Sequence, residues 1–258
     1  MALVAPTVLW AGDLDDVKAA GKIRIAVFGD KPPFGFLDEN GENQGYDVYL
    51  AKRVAKDLLG SPDKVEYVLV EAASRLEVLL ANKADLVLAN FTVTPERAQQ
   101  VDFAKPYMKV ALGVASPKSA PITKVEQLKG KTLIVTKGTT ADFYFTKNHP
   151  EIKLLKFDQN TEAFNALWDG RGNGLAHDNT FLFAWVKDNK NFVTGIEFLG
   201  DQDFIAPAVK KGRTELLNWV NKEIEKLIKE KFFEGAFKAT LATAFGETVD
   251  PKSVLIEE

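Results

Sequence analysis

Twice in this chain, runs of strand length alternate with segments of helical period, and that alternation restricts the fold more than any other feature. In "KIRIAVFGD", residues 22–30, Ile23, Ile25 and Val27 alternate with Lys22, Arg24 and Ala26, which is the period of a strand ending in a turn. "KPPFGFLDENGENQGYD" follows as loop, with a hairpin expected at Glu39-Asn40-Gly41. From Asp47 the period changes. Leu50, Ala51, Val54, Ala55 and Leu58 share one helical face, with Lys52, Arg53, Lys56 and Asp57 opposite. Asp47 is the expected N-cap and Gly60 the stop. "VEYVLVE" (65–71) predicts a second strand, Arg75 to Ala81 a helix, and "ADLVLANFT" (84–92) a third strand. Strand, helix, strand, helix, strand is the signature of an α/β unit built on a parallel sheet.

The pattern then restarts. "KTLIVTKGTTADFYFTKN" (131–148) predicts strand, turn and helix, "IKLLKFD" (152–158) a strand, "TEAFNALWDGR" (161–171) a helix, and "GLAHDNTFLFAW" (174–185) a strand entering a helix. "LEVLLANKADLVLANFT" and "AFNALWDGRGNGLAHDNT" share one order: helix, turn, short apolar strand, polar exit. "FIAPAVKKG" (204–212) reads as a strand with a turn. A long amphipathic helical region follows, with Leu216, Leu217, Val220, Ile224, Leu227 and Ile228 as its stripe. The expected organisation is two α/β lobes. Residues 20–112 with 208–258 form the first, 113–207 the second, and 1–19 a leader outside the fold. Two extended segments, 110–118 and 197–209, cross between them, which predicts a hinge and a cleft.

Ligands of open parallel sheets bind beyond the C-terminal strand ends, so four polar exits should converge on the cleft. They are Asp30 with Phe34; Ala89, Asn90, Phe91 and Thr92 through Arg97; Thr139 with Thr140; and His177 with Asp178. Arg97 offers a planar pair of donors suited to a carboxylate, and Thr92 a hydroxyl. Thr139 and Thr140 open a helix whose free N–H groups favour an anion. Asp178 suits an ammonium, and Phe34 can cover an apolar stem. One cation and one anion form the charge template of an α-amino acid, and burying such a zwitterion requires both ends to be paired. Taken singly, each residue has a plainer role. An arginine after a strand is commonly a surface ion pair, threonines at a helix start are caps, and a histidine such as His177 is commonly a hydrogen-bonded core residue. Trp168 and Trp185 are expected in the core. Recurrence of polar residues at equivalent exits is what favours a site.

Composition closes off other classes. The 258 residues include no cysteine and two histidines, which excludes disulfides and thiolate zinc sites and predicts no metal centre. A net charge of -3 gives no general attraction to nucleic acid or acidic membrane. No apolar run reaches membrane-spanning length. "MALVAPTVLWAG" is too short to span and lacks a basic start, so it reads as a signal-peptide remnant or leader.

"PPFGF…GYDVYLAKRVAKDL", "ADLVLANFTVTPERAQQVDFAKPY", "LKGKTLIVTKGTTAD" and "AHDN" together resemble the family 3 solute-binding proteins, the amino-acid receptors of ABC importers. The likeness runs in family order over residues 20–245. It implies the two-lobe type II periplasmic-binding-protein fold, a free amino acid bound between the lobes, and delivery to membrane permease subunits. It further implies no cofactor, a monomer, and a periplasmic or extracellular location that a lipid anchor on the precursor would suit. By resemblance the ligand carboxylate goes to Arg97, Thr92, the Asn90 region and Thr140. The amine goes to Asp178, with backbone help near Asn90.

"TKGTTAD" and "AHDN" resemble the branch that binds cysteine and other small neutral amino acids. Many members carry an aromatic before the equivalent of "SRLEVLL"; here Ala72 and Ala73 stand in "EAASR", which disfavours a large flat ligand. Arg75 follows, either reaching the ligand as in some acidic-amino-acid receptors or lying as a helix-surface charge. The preferred ligand is small or polar, such as cysteine, alanine or serine, and next an acidic amino acid. Cyclohexadienyl dehydratases share the fold, and such an enzyme would need a protonated acid from Asp30, Asp142 or Asp178. A non-catalytic receptor is the expected reading.

Overall fold

The computed structural model describes residues 13–247 and 249–256. In chain order the strands are β1 (Ile23–Phe28), β2 (Asp30–Lys31), β3 (Gly35–Leu37), β4 (Asn43–Gln44), β5 (Val65–Val70), β6 (Leu86–Val87), β7 (Val101–Phe103), β8 (Met108–Pro117), β9 (Thr132–Thr136), β10 (Lys153–Phe157), β11 (Gly174–Asp178), β12 (Phe192–Ile205) and β13 (Ala208–Lys210). The helices that matter here are α1 (Asp13–Ala20), α2 (Tyr46–Leu59), α3 (Arg75–Leu80), α4 (Pro95–Ala98), α5 (Thr140–Asn148), α6 (Asn160–Trp168), α7 (Asn179–Asp188) and α8 (Thr214–Lys229).

Two five-stranded sheets carry the two lobes, in the orders β5-β1-β6-β13-β7 and β10-β9-β11-β8-β12. In each, the first strand of its block lies central between the second and third, all parallel. An antiparallel strand then joins the third: β13 on β6, and β8 on β11. The repeated reading of the sequence is therefore a repeated topology. A central parallel strand is covered on both faces, which is why β1 is buried at every position except the partly exposed Arg24. The expected hairpin forms as β3–β4, with Asp38 accepting the Asn40 and Glu42 N–H groups across its turn.

The two segments expected to cross between lobes are β8 and β12, and they pair with each other. The register runs from Phe192↔Pro117 to Ile205↔Met108, with slips between Thr194 and Asp203. Beside Ile205, the bridge Thr92↔Ile205 links this ribbon to the exit of β6. A paired ribbon with register slips is stiff along its length and soft where the ladder is interrupted.

Four expectations are corrected by tertiary contacts. α2 starts after Gly45 rather than at Asp47, whose carboxylate turns inward and is fully buried. Trp168 is 55% exposed, because it closes α6 at the surface, although its ring still meets Phe192. The long C-terminal helix breaks after Lys229, where Lys231 takes the left-handed φ of 57°. The leader expected over residues 1–19 gives way at Asp13 to α1, which docks on α8 through buried Val17, the Leu216 N–H bond to Asp13, and Arg213. The rest of that leader, residues 1–12, lies outside the described residues. α8 itself buries Leu216, Val220, Ile224 and Leu227, each contributing about 1.5–3 kcal/mol.

Candidate functional site

The lobes meet where the C-terminal ends of β1, β6, β9 and β11 face one another. Gly138, after β9, has φ of 73°, and a Cβ placed there would lie 2.6 Å from Ala73 Cα and 2.8 Å from Ala73 N. Only glycine permits this conformation and this approach together. Asp30, after β1, accepts from Asn160 N at 2.7 Å and Nδ2 at 3.0 Å at the start of α6. Phe34 meets Phe181 edge-on at 6.5 Å. The cleft is thus closed by direct contacts between the two halves.

Two guanidiniums lie side by side in it. Arg97 is held at the end of α4, whose N-cap Thr94 accepts the Arg97 N–H. Its Nη1 donates to Thr92 O at 2.7 Å and its Nη2 to Gly138 O at 3.0 Å. Arg75, at the start of α3, is 3% exposed, so it is no helix-surface charge. Its Nε donates to Ala72 O, Nη1 to Ala89 O and Asn90 O, and Nη2 to the same Gly138 O at 3.2 Å. The Phe91 ring lies against both, 4.7 Å from Arg75 and 4.6 Å from Arg97. Among the described residues neither guanidinium has a carboxylate partner within ion-pair distance. Burial lowers both from the usual arginine value: Arg75 strongly, with Arg97 adding repulsion, and Arg97 to about 10. Two desolvated cations without a counter-ion are costly unless an anion arrives.

A chain of polar contacts lies beside them. Asp178 ends β11, and its Oδ2 is 2.6 Å from Lys31 Nζ. The same Nζ is 2.6 Å from Asn90 Oδ1. Burial alone would raise Asp178, but the Lys31 ammonium and the adjoining His177 together outweigh it and hold the carboxyl far below the usual range. Asp178 N donates to His177 Nδ1, so the histidine proton is on Nε2, directed at Asn160 Oδ1. Burial, and then Lys31, push His177 down, which keeps it neutral. Asn90 has a left-handed φ of 45°. Its N–H donates to Asp47, whose other oxygen accepts from Tyr107 OH, and the buried Nδ2 of Asn90 has no partner among the described residues. Burial pushes Asp47 up to about 7 despite those bonds and Lys31.

A cavity of about 660 Å³ opens from this point, lined by Ala72, Ala73, Phe91, Arg97, Gly138 and Thr140 together with Leu112, Tyr144 and Asp203. Thr140 is the first residue of α5, whose dipole favours an anion there. Thr139 is a cap, its hydroxyl accepting from Asp142 N. So the structure brings Arg97, Thr140 and Phe91 to the cavity wall, and Arg75 directly behind it. Asp178, Asn90, Thr92 and His177 are buried deeper. Ala89 contributes its carbonyl to Arg75, and Thr92 its carbonyl to Arg97. Asp30 is an interlobe tie, and Phe34, fully buried, packs behind Lys31 instead of facing the cavity. A larger hollow of about 970 Å³ lies near Ile228, Phe233 and Phe237, but its charged residues Lys229, Glu234 and Lys252 stand at an exposed rim.

Lys31, Gly138 and Asn160 were not singled out from the sequence. "GDKPPF" places a lysine between an aspartate and two prolines, the composition of an exposed loop, and no period marks it as buried. The signal that could have found Gly138 is its place directly after a strand and before a Thr-capped helix, where close backbone approach is common.

Residues 23–239 match the family described as bacterial extracellular solute-binding proteins, family 3. A crystal structure of the solute receptor for L-cysteine of Neisseria gonorrhoeae is 62% identical, covering 95% of this chain and 99% of that one, with a TM-score of 0.93. The cysteine-binding protein from Campylobacter jejuni is 60% identical, covering 96% of this chain and 100% of that one, with a TM-score of 0.94. The ABC transporter glutamine-binding protein GlnH of Bacillus subtilis is 32% identical over 225 residues, 86% of this chain and 82% of its own length.

Proposed function

This chain belongs to the bacterial extracellular solute-binding proteins of family 3, and on that premise we propose that it is the receptor that captures free L-cysteine and presents it to an ABC importer. The observation that carries the reading is the pair of buried guanidiniums, Arg75 and Arg97, with no carboxylate partner among the described residues, beside the anionic Asp178. A ligand carboxylate settles against Arg97 and the start of α5, and the α-ammonium turns to Asp178 and Asn90. Likeness to two cysteine receptors at 62% and 60% identity favours cysteine among small amino acids. Arg75 lies behind the cavity wall and not among the residues that line it, which leaves it poorly placed to read an acidic side chain.

The work done is closure, not catalysis. A ligand that bridges the lobes binds the closed state better than the open one, and the difference in affinity shifts the population. The three candidates for the acid an enzyme would need are otherwise engaged. Asp30 accepts N–H bonds from Asn160, Asp142 pairs with Lys156 at 2.6 Å, and Asp178 is held anionic by Lys31 and His177. The receptor acts outside the cytoplasmic membrane as a monomer, docking its two lobes on the permease subunits.

Isothermal titration against L- and D-amino acids, after stripping bound solute by unfolding and refolding, tests this. The expected result is stoichiometric binding of L-cysteine, with alanine and serine weaker. Tight binding of glutamine or arginine with cysteine inert would overturn the assignment of ligand.

A further inference from the structure

The side chain of Lys31 is 1% exposed and ranks among the largest fully buried side chains of the protein. Its ammonium lies 5.4 Å from the ring centre of Phe28, 5.6 Å from that of Phe34 and 5.4 Å from that of Phe181. The Asp178 carboxylate and the Asn90 amide oxygen complete its surroundings at 2.6 Å each. Three aromatic faces, a carboxylate and an amide oxygen are what a protein uses to bind an ammonium ligand. Here the chain fills that receptor with its own side chain. The cage is also composite: Phe28 and Phe34 come from the β1 side, Phe181 and Asp178 from β11 and α7. On the amino-acid reading it adjoins the ligand site, because Asp178 and Asn90 are the groups proposed to meet the ligand amine.

We propose that Lys31 is a specificity-determining residue: it plugs an ammonium cage adjoining the ligand site and thereby restricts the receptor to amino acids with short, uncharged side chains. The proposal rests on the amino-acid reading above. With Lys31 in place, the cage has no volume for a ligand side chain. A second ammonium would also meet Lys31 and Arg75, beside a carboxylate, Asp178, already paired with Lys31. Without Lys31, the cage is empty and its carboxylate unpaired, and a desolvated carboxylate without a partner strongly favours any cation of fitting length.

The test compares wild type, Lys31→Ala and Lys31→Met by isothermal titration, with circular dichroism as the check on folding. The probes are L-cysteine, L-2,4-diaminobutyrate, L-ornithine, L-lysine and the apolar L-norleucine. Lys31→Ala is expected to bind at least one of the three diamino acids tenfold or more tightly than wild type does, and more tightly than it binds norleucine. Lys31→Met, which refills the space without charge, is expected to gain none of them. A folded Lys31→Ala with the wild-type ranking of ligands overturns the proposal. So does a Lys31→Met that acquires diamino acids or norleucine, and this arm decides the matter should Lys31→Ala not fold. Wild type that binds no amino acid refutes the receptor reading instead, so the two failures are distinguishable.

Discussion

Replacing Gly138 by alanine should separate closure from folding. The new Cβ would stand 2.6 Å from Ala73 Cα and 2.8 Å from Ala73 N, and ordinary carbon contacts need about 3.5–4 Å. The two halves must therefore part by about 1 Å at this point. Gly138 O is the shared acceptor of Arg97 at 3.0 Å and Arg75 at 3.2 Å, and that displacement takes both bonds out of range. Hydrogen bonds from charged donors are worth roughly 1.5–3 kcal/mol each, so the closed state loses about 3 kcal/mol or more. Since about 1.4 kcal/mol is tenfold in affinity, the ligand should bind at least about 100-fold more weakly. The left-handed φ of 73° adds a separate cost of about 1–2 kcal/mol, paid in open and closed states alike. It should therefore appear in urea unfolding of the ligand-free protein and not in the ligand affinity. Isothermal titration with L-cysteine and small-angle scattering with and without it provide the readout. An affinity within threefold of wild type, with the usual compaction, would refute the reasoning.

Other expectations concern the charged groups of the site. Arg97→Lys keeps the charge but loses the planar fork, and should weaken the ligand by about 10- to 100-fold; titration showing unchanged affinity would remove Arg97 as the carboxylate clamp. Asp178→Asn strips the buried Lys31 ammonium of its counter-charge and should cost about 3–5 kcal/mol of stability; urea unfolding within about 1 kcal/mol of wild type would mean that the pair is not formed. Asp47, pushed up to about 7 by burial, retains a proton that the unfolded chain sheds near pH 4. Its contribution to stability is therefore fully present below about pH 4 and lost as pH rises through about 7. Urea midpoints measured across that window should fall less steeply with pH in Asp47→Asn than in wild type, and equal slopes would contradict the assignment.

What the sequence made legible follows from the range of the interactions involved. The β1 run and the α2 stripe are local periodic patterns, so strand, helix and their repetition could be read without tertiary knowledge. Strand exits are topological, and Arg97 and Thr140 reach the cavity wall because the exits of β6 and β9 converge there. Arg75 was ambiguous since a charge at a helix start is usually solvated; only the fold places four carbonyls around it. The ring of Phe34 suits a cavity wall, yet the space in front of it is taken by Lys31, three residues earlier. Lys31 itself is defined by Asp178, 147 residues away, and by Phe181, a pairing to which no local pattern points. Asp47 is a parallel case. Its sequence position suits a cap, while its carboxylate is recruited by Tyr107 and by the N–H of Asn90.

The central claim is that both ends of a zwitterion are read at once, the carboxylate by Arg97 and the amine by Asp178. The most direct measurement is titration of the wild-type receptor with L-cysteine, cysteamine and 3-mercaptopropionate, three compounds with the same thiol and either both charged ends or one. Cysteine should bind tightly and each truncated compound at least about 10-fold more weakly, since each forfeits hydrogen bonds to a charged group worth roughly 1.5–3 kcal/mol. Binding of either truncated compound as tightly as cysteine would contradict the account.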